Sequence, residues 1–187
     1  MIKEYQMAIT EESIKFYKCI NSEPKGEVFI FGYGSLMSVK GIENRGLVRE
    51  YKPSDFIPTT VKGLKRSIST TFGNVFYYGI KVDKNSEVNG TLIPINKPDL
   101  ITLLHNEWAY PAKSVEDFPM YALYELNPED LSMEVDRRVF TLINDPLKDN
   151  PVFNYETKRY IRFCWDNIEY LGEEFRSDFL RLGGIKP

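Results

Sequence analysis

The chain is expected to fold as an α+β domain, a mixed β-barrel or sheet with flanking helices. Three observations predict this class. β-prone runs broken by glycine, proline and asparagine fill residues 28–95. The hydrophobic period switches to a helical one after residue 155. Between them, the order is strands, one helix, more strands and then helices, with no repeat or low-complexity linker. Residues 1–26 read as an N-terminal extension and 27–187 as a single domain.

Within the extension, Ile14, Phe16, Tyr17 and Ile20 suit a short amphipathic helix, followed by a loop at 21–26. Val28-Phe29-Ile30-Phe31 is a fully apolar run, the signature of a strand buried on both faces. It enters Gly32-Tyr33-Gly34-Ser35-Leu36, where two glycines are expected to permit positive φ and close ligand approach. Ser38–Tyr51 is polar, and Gly41 and Gly46 oppose a long helix. Residues 56–61 and 65–71 read as strands around Gly63, and 72–74 as a turn. Two more strands follow at 75–82 and 88–95, separated by a turn at 83–86, with Pro94 marking an edge or an end.

Asn96 and Pro98 start a helix that runs to about Glu107, with Leu100, Ile101, Leu103 and Leu104 on its apolar face. Strands are expected at 119–126 and 134–143, joined by the loop 127–130. Two closing helices, 155–170 and 173–182, are divided by Gly172.

Composition narrows the function. Apolar residues make up 42% and aromatics 14% of 187 residues, including 12 Tyr and 12 Phe, which is enough for an aromatic-rich core. The net charge of −3 with scattered Lys and Arg argues against nucleic acid and an anionic membrane surface. The two cysteines, Cys19 and Cys164, are far apart, so a reduced, cytoplasmic setting is expected. With one histidine, His105, a His/Cys metal site or a Ser-His-Asp triad has little to draw on, and neither metal nor cofactor is expected. No run reaches membrane-spanning length.

The candidate chemistry lies in two places. A buried strand ending in glycine-flanked amides presents N–H donors to an anion or oxyanion, which makes Gly32, Tyr33, Gly34, Ser35 and Leu36 candidate binding residues. The same pattern also describes a plain core strand and turn. It lacks the glycines of a nucleophile elbow or dinucleotide fingerprint and the lysine of a P-loop. Glu107, followed by Trp108-Ala109-Tyr110-Pro111, has aromatic neighbours that would shield a carboxylate and suit it to general acid–base work. Tyr155, at the start of a helix, could offer a phenol to a ligand or simply pack. Arg66 could bind a carboxylate or sit on a strand surface.

In this order, these pieces resemble the gamma-glutamylcyclotransferase-like superfamily. Val28–Leu36 is similar to its first strand and substrate loop, nearest to the ChaC-type version. Val61–Arg66, Gly90–Ile95, Leu103–Glu107, Val139–Leu142 and Pro151–Tyr155 resemble its later segments, so the likeness spans roughly 28–182. Residues 113–132 depart from the pattern, and Tyr110 is followed directly by Pro111. The resemblance implies release of 5-oxoproline from a small-molecule gamma-glutamyl amino acid, peptide or amine by intramolecular aminolysis. It implies Glu107 as the catalytic acid and base, and Gly32–Leu36, Tyr110 and Tyr155 as substrate contacts. A gamma-glutamylamine cyclotransferase, a biosynthetic deprotection enzyme and a non-catalytic binder are the alternatives it leaves open.

Overall fold

In the computed structural model, residues 27–108, 121–144 and 151–187 are described. The extension, including Cys19 and its expected helix, lies outside them, as do Tyr110 and the first residues of the strand expected at 119. Among the described residues five strands form one curled mixed sheet: β1 (Glu27–Gly32), β2 (Ile57–Phe72), β3 (Val75–Asn96), β4 (Tyr121–Leu126) and β5 (Val139–Asn144). Their order is β2-β3-β1-β5-β4, antiparallel except for the β1–β5 pair. Among the described residues four α-helices accompany it: α1 (Val39–Glu43), α2 (Lys97–Trp108), α3 (Tyr155–Asp166) and α4 (Gly172–Arg181). No helix among the described residues is long and apolar enough to cross a membrane.

β1 takes the central place that its apolar run predicts. Phe29 and Phe31 face one core, shared with Ile161, Phe175 and Phe179 of α3 and α4. Val28 and Ile30 face a second core, with Ile42 of α1 and Leu100 and Leu103 of α2. Period-2 alternation thus feeds two apolar layers, so neither face of β1 needs polar residues.

The four strands expected between 56 and 95 are two long ones. β2 runs through Gly63, and β3 runs through the expected turn at 83–86. The pairing steps from Lys62↔Glu87 to Leu64↔Val82, so Gly63, at φ 79°, stands opposite the four residues 83–86. Asp83 ties that bulge together by accepting from Asn85 N–H at 3.1 Å and Ser86 Oγ at 3.0 Å. The turn chemistry was legible; only the ladder on both sides makes it a bulge within one hairpin. Gly73, at φ 58°, closes the hairpin tip.

Pro94 pairs with Phe29, whose own N–H points the other way, to Arg138 O at 2.9 Å. β2 begins opposite Leu92, so at Pro94 strand β3 has no β2 neighbour and no ladder donor is missed. α2 starts as expected, with Asn96 Oδ1 accepting from Asp99 N–H at 2.9 Å. β5 begins at Val139 rather than 134. α3 ends at Asp166 instead of 170, where the Asn167 side chain donates to Phe163 O at 2.8 Å and caps it. Gly172, at φ 88°, stands at the start of α4.

Candidate active site

The loop leaving β1 is built on space rather than on positive φ. The described glycines with positive φ are 46, 63, 73, 172 and 183, so the expected left-handed exit at Gly32 and Gly34 is corrected. A Cβ on Gly32 would stand 3.0 Å from the backbone of Leu36. One on Gly34 would stand 2.8 Å from Tyr160 Oη and 3.3 Å from Tyr78 Cβ. Glycine lets the loop fold back on itself and lets α3 come close.

After Gly34, residues Ser35–Met37 form a single 3-10 turn, closed by Met37 N–H to Gly34 O at 3.1 Å. The amides of Ser35 and Leu36 precede that bond and take no part in it. Tyr33 turns its ring into the core and donates from its hydroxyl to Leu142 O at 2.8 Å. Leu36 packs in the second core. These two residues therefore offer backbone, not side chain, to the loop's open side.

That side faces a cavity of about 610 Å³. Tyr33–Leu36, Arg45, Asn106 and Glu107 line it. So do Thr70, Tyr77 and Tyr78 of the hairpin and Glu156, Arg159 and Tyr160 of α3. Tyr160 packs edge-on against Tyr77, with ring centroids 4.7 Å apart. The helix is held there by its capping residue: Asn154 accepts from Thr157 N–H at 2.9 Å and donates to Asn74 O. Thr157 Oγ1 in turn accepts from Phe76 N–H at 3.0 Å.

Glu107, near the C-terminal end of α2, is 12% exposed. The side chains expected to shield it, Trp108 and Tyr110, are not among those described; among the described residues its partner is a cation. Arg45 Nε donates to Glu107 Oε1 at 2.9 Å, and Nη2 lies at the same distance from that oxygen. Arg45 also donates to Gly41 O at 2.6 Å and to Ser35 Oγ at 3.0 Å, and its own carbonyl accepts from Asn106 Nδ2. One guanidinium thus joins the glutamate to the loop. Both of these contacts hold Oε1, and Glu107 itself lines the cavity. Sequence reading missed Arg45; its only signal was a basic residue between Gly41 and Gly46 in an otherwise undistinguished polar stretch.

The other expected residues fall elsewhere. Gly32 is buried at the end of β1 and does not line the cavity. Tyr155 is 76% exposed and also stays outside the lining. Tyr160 lies five residues on, about 140° around the helix, and is the tyrosine that faces inward. Tyr110 lies outside the described residues. Arg66 is neither a surface residue nor a carboxylate ligand. It is 2% exposed, donates to Asn89 Oδ1 at 3.2 Å and to Asn89 O, and lies 4.4 Å over the Phe179 ring. Burial lowers its guanidinium to about 10. Among the described residues, no three His, Cys, Asp or Glu side chains come together to hold a metal ion.

No family model and no curated protein matches the chain. Solved structures do. One described as a gamma-glutamyl cyclotransferase superposes with TM-score 0.58 at 16% identity, over 86% of this chain and 90% of that one. An uncharacterized protein from Homo sapiens gives TM-score 0.58 at 14% identity, over 87% and 91%. YkqA from Bacillus subtilis gives 0.56 at 18%, over 86% of this chain and 55% of that one. The chain therefore has the gamma-glutamylcyclotransferase-like fold, an α+β architecture on a curled mixed sheet.

Proposed function

We propose that this protein is a gamma-glutamylcyclotransferase that releases 5-oxoproline from a small gamma-glutamyl compound. The observation that carries the reading is that the largely buried Glu107 lines the same cavity as the Gly34–Leu36 loop, with Arg45 joining the two. The reaction needs no more than this. The substrate's α-amine attacks its own γ-carbonyl carbon, forming the ring C–N bond. The amide C–N bond then breaks, and the released amine takes a proton.

Glu107 Oε2 accepts the proton that the α-amine loses and delivers it to the leaving nitrogen. Arg45 is a positioning residue: it holds Oε1 and keeps the carboxylate turned to the loop. The Ser35 and Leu36 amides receive the substrate's carboxylate or the oxyanion of the tetrahedral intermediate. Holding the gamma-glutamyl chain folded for ring closure supplies much of the rate through proximity. The nearness of the Gly32–Leu36 block to the ChaC-type motif favours a peptide-like substrate.

Glu107→Gln tests the assignment. On the best substrate among gamma-glutamyl amino acids, glutathione and gamma-glutamylamines, 5-oxoproline release falls by roughly 10²- to 10⁴-fold. The melting temperature stays near wild type, because the swap is nearly isosteric and still accepts from Arg45. Full turnover by this variant removes Glu107 from the chemistry.

A further inference from the structure

Gly41 is a costly residue for its place. It lies in the middle of the short helix α1, where alanine would be about 1 kcal/mol more favourable, and its φ is not positive. What it makes room for is the loop after β1: a Cβ on Gly41 would stand 1.6 Å from Ser35 O. The Ser35 carbonyl occupies the space that a side chain would fill, and only glycine admits it. Ser38, the buried N-cap of α1, closes the same contact. Its Oγ accepts from Gly41 N–H at 3.2 Å and donates to Ser35 O at 3.4 Å.

The Ser35–Leu36 peptide is one plane, with its carbonyl and its N–H pointing in opposite directions. Ser35 and Leu36 line the cavity, whereas Ser38 and Gly41 do not. Turning the Ser35 carbonyl into α1 therefore turns the Leu36 N–H the other way, to the side of the loop that lines the cavity. The neighbouring planes are held as well. Gly34 O accepts from Met37 N–H at 3.1 Å, which sets the direction of the Ser35 N–H. Met37 O accepts from Tyr170 Oη at 2.8 Å. Arg45 joins this frame to the acid, since it donates to Gly41 O and Ser35 Oγ while it pairs with Glu107. A flipped Ser35–Leu36 plane would present a carbonyl oxygen where the proposed reaction needs a donor, and would repel the charge that the loop should receive.

Resting on the proposed function, we infer that Gly41 and Ser38 are positioning residues that set the Ser35–Leu36 plane, so that the Leu36 N–H serves the substrate's negative oxygen. Neither touches substrate. Gly41 acts by lacking a side chain, and Ser38 by the hydrogen bond that it donates.

The test uses full-length Gly41→Ala, Ser38→Ala and Ser38→Thr, with kinetics on the best gamma-glutamyl substrate well below the melting temperature. Gly41→Ala and Ser38→Ala lower kcat/KM for 5-oxoproline release about 10- to 100-fold, as misdirecting one oxyanion donor does. Ser38→Thr, which keeps the hydroxyl, retains most of the activity. The acid limb of the pH profile stays in place, because the Glu107–Arg45 pair is intact. A role in the helix alone predicts the reverse for Gly41→Ala: a higher melting temperature and unchanged turnover. A second readout needs neither activity nor ligand. The residual dipolar coupling of the Leu36 N–H bond reads the direction of the plane, and it changes in Gly41→Ala and Ser38→Ala while the couplings of β3 do not. Should Gly41→Ala not fold, Ser38→Ala carries both readouts. An unchanged Leu36 coupling overturns the brace, whatever the kinetics. A changed coupling with full turnover overturns its role in the reaction, and so does a displaced acid limb, which assigns the loss to Glu107. No 5-oxoproline release by wild type from gamma-glutamyl amino acids, glutathione or gamma-glutamylamines overturns the proposed function and the catalytic role with it, while a changed coupling still upholds the brace on the loop.

Discussion

Gly34 and Tyr160 meet so closely that a single methyl group tests the cavity. The Cβ that alanine brings would sit 2.8 Å from Tyr160 Oη, and Tyr160 is itself wedged against Tyr77 and Tyr78. Tyr78 Cβ, 3.3 Å away, would also have to give by a few tenths of an ångström. Gly34→Ala is therefore expected to displace Tyr160, to cost about 1–3 kcal/mol as overpacking does, and to lower 5-oxoproline release. Thermal melting and a kinetic assay read the two effects. Adding Tyr160→Phe removes the nearest clashing atom and restores part of the lost melting temperature. Chain order could single out Gly34 as a glycine of interest, but not the reason, because Tyr160 lies far away in sequence. The same holds for Arg45 and Glu107, whose meeting across 62 positions no local pattern reveals.

At the scale of elements, the β1–β3 pair positions the loop. Gly90 lies under the end of β1: a Cβ there would meet Gly32 O at 2.2 Å and the Phe31 ring at 2.6 Å. Both neighbours are fixed, one as backbone and the other as a core ring, so neither gives way cheaply. Gly90→Ala should push the two strands apart where the register runs out at Gly32↔Thr91. The expected cost is about 3 kcal/mol, the upper end for overpacking, read by urea denaturation. Activity should fall with it, since β1 delivers Gly34–Leu36 to the cavity. α3 is the matching element on the other wall. Its buried stripe of Thr157, Ile161 and Cys164 turns Tyr160 inward and leaves Tyr155 in solvent. The helix was legible from its period; which tyrosine faced the site depended on where that stripe docked.

For the whole molecule, alkaline stability follows from buried phenols. Tyr51 and Tyr78, 6% and 2% exposed, are both raised well above the ordinary value of 10.0, first by burial. A raised pKa in the folded state means that the unfolded chain ionises first, so above pH 10 the native state holds more protons and stability declines. Arg66 acts the other way. Lowered to about 10 by burial, it sheds its proton in the native state first, which recovers some stability above that pH. The buried Cys164 thiol, pushed up to about 12, lowers stability in the same direction as the phenols. Two phenols and this thiol outweigh one guanidinium, so unfolding free energy should drop by about 3–4 kcal/mol between pH 9 and pH 11. Urea titrations at both pH values measure this. Tyr78→Phe, which removes one ionisation, should flatten the decline.

The sequence by itself determined the class of fold, the buried central strand, the glycine loop after it, the capped α2 ending near Glu107 and the helical close. Each is written in local terms: an apolar run, a turn residue, a cap or a period. Tertiary structure alone decided that four expected strands are one long bulged hairpin, that Arg45 bridges Glu107 to Ser35, that Arg66 is buried under Phe179, and that Tyr160 rather than Tyr155 lines the cavity. Those outcomes depend on ladder register and on which helix face docks. Both are settled by contacts between residues far apart in the chain, and no window of sequence contains both partners.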